Sequence, residues 1–536
     1  MTARRNLSLL FACMGIVCLM LAFGMVTSIN AYRFLSTGKY VQARTSVRLA
    51  LPVAQLANVT TFHSSATMQT WESGLRTLVA ANNSLVTLQA LQKQVSDGGA
   101  PNITLLVENA QQLEVNLQDT VTNIGSSPLL SRMLRTQLSQ LEKLHEVLSH
   151  TVSLASQFTE GQKTLLILLQ NSDELRATGG FMGSYVLVKF DSGNVEELVV
   201  EDIYDADGQV REYFEPPSGV KNYLTGGNGW RLPDANWHPD FAQSAQDTLR
   251  FFALAERSHI DGVVAINLPM MQSLLSVTGP LTLLDQDLVL SEANVSQVLR
   301  ADRAVFFAGS TAKKSVLLQA ITQLKLVIAK LDMQQKKQLV EQLRQHLARG
   351  NILAYFPNPN LELAAVSLGL AGPLGPPSLR SDTLFYYPLE SNVGINKVNA
   401  VVTREFVMTT APTLTELGIT LHNSSTQDGY VNYQRLLFNP EQSLKEIVVN
   451  GEQVTEFDSA VITSSTGQKY QQVGFLVTIL PSNTTRITMT LTHPAGFSTI
   501  VLQKQPGTAN TTLTSITSQG MQAYQLTQSF LEYMIE

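Results

Sequence analysis

Cysteine is almost missing from this sequence. The only two, Cys13 and Cys18, lie inside one uncharged run near the N-terminus. That excludes a disulfide framework, a thiolate metal site and a cysteine nucleophile from the rest of the chain. Charge is sparse as well. Only 15% of residues are charged, the net is −6, and no Lys/Arg-rich stripe occurs. Nucleic acid is therefore not an expected partner. There is no His-Glu-x-x-His pair and no Gly-x-Ser-x-Gly elbow, so zinc hydrolysis and serine-triad chemistry have no footing.

What is present begins with an apolar run. Leu7–Ile29 carries no charge, and at about 1.5 Å per residue it covers the roughly 30 Å hydrocarbon core of a bilayer. Cleavage after it is disfavoured, because Ile29 falls where a small residue is wanted. We read residues 7–31 as a single-pass transmembrane anchor in the cell membrane. Residues 1–6 are then cytoplasmic and the bulk is extracytoplasmic. Arg33, Lys39, Arg44 and Arg48 run against the positive-inside rule, which long translocated domains obey weakly.

Residues 40–160 have helical periodicity. Trp71, Leu75, Leu78, Leu85 and Leu88 recur at helical spacing, and Leu134, Leu138, Leu141, Leu144, Leu148 and Val152 form the strongest stripe. Ser127 before Pro128 reads as an N-cap and first helical residue. The expectation is an α-helical bundle acting as a stalk, whose stripes could also pair between chains and allow self-association.

Residues 161–385 read as a layered α/β domain. Leu165–Leu169, Tyr185–Phe190 and Val195–Ile203 are expected strands, the last two joined by the turn Asp191-Ser-Gly-Asn194. Asp261–Ile266 is another strand. Asp332 and Gln335 form a capping box for a helix that closes at Gly350. Gly369–Pro377 reads as an interdomain or surface loop. Residues 394–536 carry short strands, with Asn450-Gly451 as a hairpin turn, and suggest a β-sandwich.

Several segments could carry a site. Asn171–Tyr185 is dense in charge and glycine, with Arg176, Gly179, Gly180 and Gly183. Backbone amides freed in such a loop can cradle an anion, although the same glycines equally suit a demanding strand connection. Glu201–Gly208 holds four carboxylates. An EF-hand is rejected for lack of acids at Ile203 and Phe214, which leaves an open Mg²⁺ or Ca²⁺ site among Asp202, Asp205, Asp234 and Asp240, or a solvated acidic loop. Trp230–Asp240 joins Trp230, Asn236, Trp237 and His238. Such groups suit a carbohydrate-facing cleft or, as readily, a loop pinned by two buried rings. Arg300, Arg303, Lys313 and Lys314 form a loose basic patch that could face a phosphate.

Three strings carry a resemblance: Asn171–Tyr185, Asp234–Asp240 and Asp261–Pro280. They resemble the uncharacterised bacterial family numbered four-zero-one-two among domains of unknown function. Asn392–Asn399 and Gln503–Gly507 look like the β-rich tail common in that family. A more distant similarity is to the LytR-CpsA-Psr phosphotransferases, which use Arg and Asp residues around a lipid pyrophosphate and Mg²⁺. Of their Pro-Arg-Asp, Ile203-Tyr-Asp205 keeps only the acid, and Lys313-Lys314 stand where they have paired arginines. Lysine does not reproduce the bidentate arginine fork.

Three roles follow. The first is a binding protein for an envelope glycan or polyprenyl-phosphate glycan, working through the α/β domain by way of Arg176, Gly179, Gly180, Trp230, Asn236, Trp237 and Arg303. The second is a divergent Mg-dependent glycopolymer phosphotransferase. The third is a non-catalytic structural or adhesion subunit.

Overall fold

The computed structural model describes residues 25–34, 39–60, 65–97, 99, 101–255, 259–300 and 311–535. Most of the expected anchor, like Arg303, lies outside the described residues. Residues 25–34 are helical, and among the described residues no helix is long and apolar enough to cross a membrane. The chain forms two compact units. One comprises residues 1–162 with 190–196, and the other 163–189 with 197–536.

The first unit is helical: α1 (Tyr40–Thr60), α2 (Ala66–Ser96), α3 (Thr104–Gly125), α4 (Pro128–Met133) and α5 (Arg135–Ser156). Ser127 caps α4 as its sequence indicates, its hydroxyl accepting from Leu130 N–H with Pro128 in the first turn. Small residues of α1, Ala50 and Ala54, pack with Leu75 of α2. Helices α2 and α3 also interlock through polar groups. Thr77 Oγ1 donates to the Asn116 carbonyl at 2.9 Å, and Asn109 Nδ2 to Thr87 Oγ1 at 3.0 Å. The strongest apolar stripe of the sequence, on α5, is the least covered. Val152 is its only buried residue and Leu144 is exposed. Periodicity marks a face that can be buried, while the number of neighbours decides whether it is.

The second unit opens with the larger parts of β1 (Gln162–Asn171), β2 (Phe181–Asp191) and β3 (Asn194–Asp202), whose residues 162 and 190–196 fall in the first. The short helices α6 (Ile203–Asp207) and α7 (Ser218–Tyr223) follow, then a 3-10 turn at Leu232–Trp237, then α8 (Phe241–Leu254). Next come β4 (Gly262–Asn267), α9 (Leu268–Thr278), β5 (Leu281–Leu283), β6 (Leu288–Leu290), α10 (Val295–Arg300) and α11 (Thr311–Lys330). The mixed region ends with α12 (Met333–Ala348), β7 (Ile352–Tyr355) and α13 (Pro359–Ser367). Its five-stranded sheet has the order β3-β2-β1-β4-β7, with β1 and β4 parallel and β4 and β7 antiparallel. Leu166 and Leu168 of β1 and Val263 and Ala265 of β4 meet Phe241, Phe251 and Phe252 of α8 in the core. The Asp332–Gln335 capping box starts α12 as expected.

The C-terminal region is strand-rich. Its strands are β8 (Thr383–Asn392), β9 (Val402–Ala411), β10 (Leu414–Asn423), β11 (Tyr430–Phe438), β12 (Ser443–Val449), β13 (Glu452–Gln453) and β14 (Asp458–Thr463). They continue through β15 (Lys469–Ile479), β16 (Thr484–Thr492), β17 (Thr499–Gln503), β18 (Thr511–Thr517), β19 (Gly520–Leu526) and β20 (Phe530–Met534). They form a seven-stranded sheet, β13-β12-β16-β10-β9-β18-β19, and a six-stranded sheet, β14-β15-β11-β8-β17-β20. Both contribute to one core, with Phe406, Met408 and Leu417 from the first and Tyr386, Tyr430 and Phe475 from the second. Asn450 and Gly451 both take positive φ in the β12–β13 turn, the conformation that a two-residue hairpin demands.

Strand β8 was not legible as a strand. All ten of its residues are buried, because it lies inside its sheet and both its faces are covered. Leu384 and Tyr386 enter the core to which both sheets contribute, while Phe385, Tyr387 and Leu389 pack on the opposite face with Ala177 and Leu374. A strand covered on both faces loses the alternation that reveals strands in a sequence. The Gly/Pro segment 369–377 is not a surface loop. Ala371 and Leu374 are buried, and Gly375 N–H donates to Gln503 Oε1 at 2.9 Å.

Gly375 has φ +79°, and a Cβ there would stand 1.9 Å from the Tyr470 hydroxyl; at Gly467, φ is +83° and nothing stands within 4 Å. The two positions separate backbone strain from collision. Gly375→Ala is expected to destabilise the fold by about 1–3 kcal/mol more than Gly467→Ala, read as the difference in urea unfolding midpoints.

Candidate functional site

The segment 172–180 connects β1 to β2 and is buried throughout. Its centre is Arg176. The Nε donates to Asp234 Oδ1 at 3.2 Å and Nη2 to Glu174 Oε1 at 3.1 Å. Nη1 donates to the carbonyls of Asn392 at 2.6 Å and Leu175 at 3.2 Å. Burial alone would lower its pKa, but the Asp234 and Glu174 carboxylates hold it above the ordinary arginine value. Glu174 moves the other way. Burial raises its pKa, and Arg176 only partly offsets that. Every edge of this guanidinium is already engaged by protein. Arg176 is thus corrected from a ligand-binding residue to an internal clamp.

The glycines beside it serve close packing. A Cβ on Gly179 would stand 2.1 Å from Asn267 Nδ2, and one on Gly180 would stand 2.4 Å from the Asn171 carbonyl carbon. A Cβ on Gly507 would stand 2.0 Å from the Gly179 carbonyl oxygen. These glycines bring two stretches of backbone together and leave no cradle for an anion.

The Trp230–Asp240 string is likewise internal. Trp230 Nε1 donates to the Asp234 carbonyl at 3.1 Å, and the ring meets Phe251 edge-on. Trp237 stacks on Tyr433 with ring centroids 5.7 Å apart, and the Arg435 guanidinium lies over it at 4.6 Å. Asn236 donates to Thr178 Oγ1 at 3.0 Å and to the Gly180 carbonyl at 2.8 Å. His238 Nδ1 accepts from Asp240 N–H, and burial lowers its pKa. One buried ring, Trp237, and one partly buried ring, Trp230, pin the loop from within, so the Trp237 face is not available to a sugar.

The candidate carboxylates are spent separately. Asp202 and Asp205 form the capping box of α6, and Asp205 also pairs with Lys314 at 2.6 Å. Asp234 pairs with Arg176. Asp240 caps α8 through Ala242 N–H and accepts from Leu374 N–H and from the Ser465 amide and hydroxyl. Among the described residues no group of three or more His, Cys, Asp or Glu is placed to hold a metal ion. Of the basic patch, Lys314 is accounted for by Asp205.

The quoted strings nevertheless meet. Asn392 N–H donates to the Leu175 carbonyl, and Asn399 Nδ2 donates to the Ser172 carbonyl at 2.6 Å. Gln505 Nε2 donates to the Arg176 carbonyl at 2.9 Å and the Glu390 carbonyl at 2.8 Å. Together they stitch the mixed region to the six-stranded sheet.

Two features were missed from the sequence. Tyr204, Tyr213 and Tyr223 are 44%, 65% and 36% exposed. The Tyr204 pKa is pushed up to about 12, first by partial burial and then by the Asp234 and Glu174 charges. Tyr213 donates to Glu215, which also accepts from Lys221. Tyr223 rests against Tyr433. Aromatic residues isolated among acids, without apolar partners at a regular spacing, were the available signal. The second feature is Lys504, 4% exposed, whose Nζ donates to the carbonyl and hydroxyl of Thr508 at 2.7 and 3.0 Å. Burial, followed by the Arg404 and Arg349 charges, lowers its pKa to about 7.

Two outcomes are expected. Arg176→Met leaves Glu174 and Asp234 buried without their cation and should cost roughly 3–5 kcal/mol in unfolding free energy. Lys504 is less basic in the fold than in the unfolded chain, so between about pH 7 and 10.5 the unfolded chain binds more protons. Stability of the native chain relative to Lys504→Met should therefore rise with pH across that window, measured by urea unfolding at several pH values.

No curated protein matches the chain. Among solved structures, a Legionella pneumophila protein provisionally described as nutrient-binding is 11% identical over 22% of this chain and 50% of its own, with a TM-score of 0.17. This chain thus spans half the length of that protein. Lin1025 of Listeria innocua is 10% identical over 39% of this chain and 78% of its own, with a TM-score of 0.22. At such scores neither likeness bears on fold or function. The stretch that contains the Arg176 clamp and the pinned tryptophan loop, residues 160–303, matches the model of the family described as Protein of unknown function (DUF4012).

Proposed function

We propose that this chain is a cell-envelope protein, held in the membrane by residues 7–31, that binds an envelope glycan or lipid-linked glycan through its α/β region without catalysing its transfer. The C-terminal sheets, sharing one core, are in this reading a β-sandwich that backs the binding region. The observation that carries the reading is the trio Tyr204, Tyr213 and Tyr223, exposed within one short segment. Each ring is held from behind or beside: Tyr204 among carboxylates, Tyr213 by Glu215, Tyr223 by Tyr433. A tyrosine ring offers an apolar face and a polar tip at little entropic cost. Neighbouring carboxylates, and the part of the Arg231 guanidinium not taken by its pair with Asp207, offer hydrogen bonds to hydroxyls. This is the chemistry first sought at Trp230 and Trp237, moved to the surface.

The absence of catalysis in this reading is supported by Arg176. A phosphotransferase on the pattern considered would need that guanidinium and a nearby acid at a pyrophosphate. Here all its donors go to Glu174, Asp234 and two carbonyls.

The test uses the full chain in lipid nanodiscs, titrated with a polyprenyl-phosphate-linked oligosaccharide and with the free oligosaccharide. Saturable binding of the lipid-linked form is expected. Tyr213→Ala and Tyr223→Ala should each weaken it about tenfold, or ~1.4 kcal/mol, with unchanged unfolding midpoints. Absence of saturable binding, or tyrosine variants that bind like the native chain, would sink the proposal.

A further inference from the structure

A cavity of about 300 Å³ lies within the second unit, away from the tyrosine trio. Its wall includes Ala177 of the β1–β2 connection, Phe241 of α8, Leu353 of β7, Val366 of α13 and Phe530 of β20. Hydrocarbon dominates these side chains. The polar side chains in the wall are mostly committed elsewhere. Thr178 Oγ1 bonds with Gln170 and Asn236. The Gln503 amide accepts from Gly375 N–H and donates to the Pro373 carbonyl. Ser529 Oγ donates to the Ala348 carbonyl. Lys504 Nζ is bound into Thr508. The wall therefore offers no free charge with which to pair an ion, and burying an unpaired charge is costly.

Tyr387 differs. It lines the same cavity, is 1% exposed, and no hydrogen bond between its hydroxyl and a described residue is present. A hydroxyl at a cavity wall that no protein acceptor takes up is able to donate to an occupant. Burial raises the Tyr387 pKa, so the group stays protonated and able to donate. A cavity half this size, about 150 Å³, takes a benzene ring when its lining is apolar. This one therefore has room for roughly a dozen carbon-sized atoms.

We propose that this cavity binds a neutral, long-chain amphiphile, with its hydrocarbon packed on Phe241, Leu353 and Val366 and its single oxygen accepting a hydrogen bond from Tyr387. A fatty carboxylate is disfavoured because the wall has no free cation for it, and a chain polar at both ends because, apart from the exposed Gln528, only one side-chain donor waits. The site is independent of the glycan reading, and each can fail without the other.

The experiment photolabels the full chain in nanodiscs with a decan-1-ol carrying a mid-chain diazirine and maps the adducts by peptide mass spectrometry. Labelling is expected on the peptides of β7 and α13, displaced by decan-1-ol and not by decane-1,10-diol. Tyr387→Phe should raise the competing concentration of decan-1-ol about fivefold, leave that of decane unchanged, and not lower the unfolding midpoint. A purely structural tyrosine would lower the midpoint instead, which would overturn the role of Tyr387. Val366→Trp should abolish labelling; Ala348→Phe replaces it if that variant does not fold. Adducts only outside the cavity wall, or labelling that decan-1-ol fails to displace, would overturn the site.

Discussion

One buried guanidinium organises the second unit. Arg176 binds Glu174 in its own loop, Asp234 in the 3-10 turn and the Asn392 carbonyl at the end of β8. Three segments far apart in sequence are thereby set at fixed distances from one planar group. Arginine suits this because its fork presents several donors in a rigid geometry and stays charged when buried. Such a clamp adds little to net stability compared with an apolar core of the same volume. Its value is directional, since only one arrangement of the three segments satisfies all its donors.

The rest of the seam follows from that constraint. Once Arg176 is placed, the Gly179 carbonyl lies where only a glycine at 507 can pass. Gln505 then reaches both the Arg176 and Glu390 carbonyls. Glu390 is in turn held by Arg404 at 2.5 Å and by the Tyr430 hydroxyl at 2.9 Å. The charged groups buried at this seam are tolerable because they are paired, although Ser172 Oγ, Asn236 Oδ1 and Asn267 Oδ1 have no partner among the described residues. The strings that look most like a binding motif are thus the joint between two regions. Away from the joint lie three exposed tyrosines, and beside the clamp a mostly apolar cavity.

Much of the local structure was legible. The capping boxes and turns at Ser127-Pro128, Asp332–Gln335 and Asn450-Gly451 each follow from chemistry within four residues. The hairpin of β2 and β3 and the strand β4 were readable from β-branched runs between turn residues, but that β4 pairs in parallel with β1 was not. By contrast, β8 and β7 were hidden. One is buried on both faces and the other is only four residues long. Of the residues the sequence singled out, Arg176, Gly179, Gly180, Asn236 and Trp237 are engaged in internal packing, and the exposed Tyr204, Tyr213 and Tyr223 were missed. A glycine that admits a ligand and a glycine that admits another strand of backbone have the same letter and the same neighbours.

The sequence by itself determined the order of regions, helical, then mixed, then strand-rich, because periodicity and turn chemistry act over a few residues. It also determined that no cysteine lies beyond Cys18 and that no His-Glu-x-x-His pair occurs. Only the tertiary structure decided that Arg176, Trp237 and Asp240 face inward while Tyr204, Tyr213 and Tyr223 face solvent. Their partners, Asn392, Tyr433 and Ser465 among them, lie some two hundred residues away. Whether a polar group is spent or free depends on what folding brings beside it, and no local pattern carries that information.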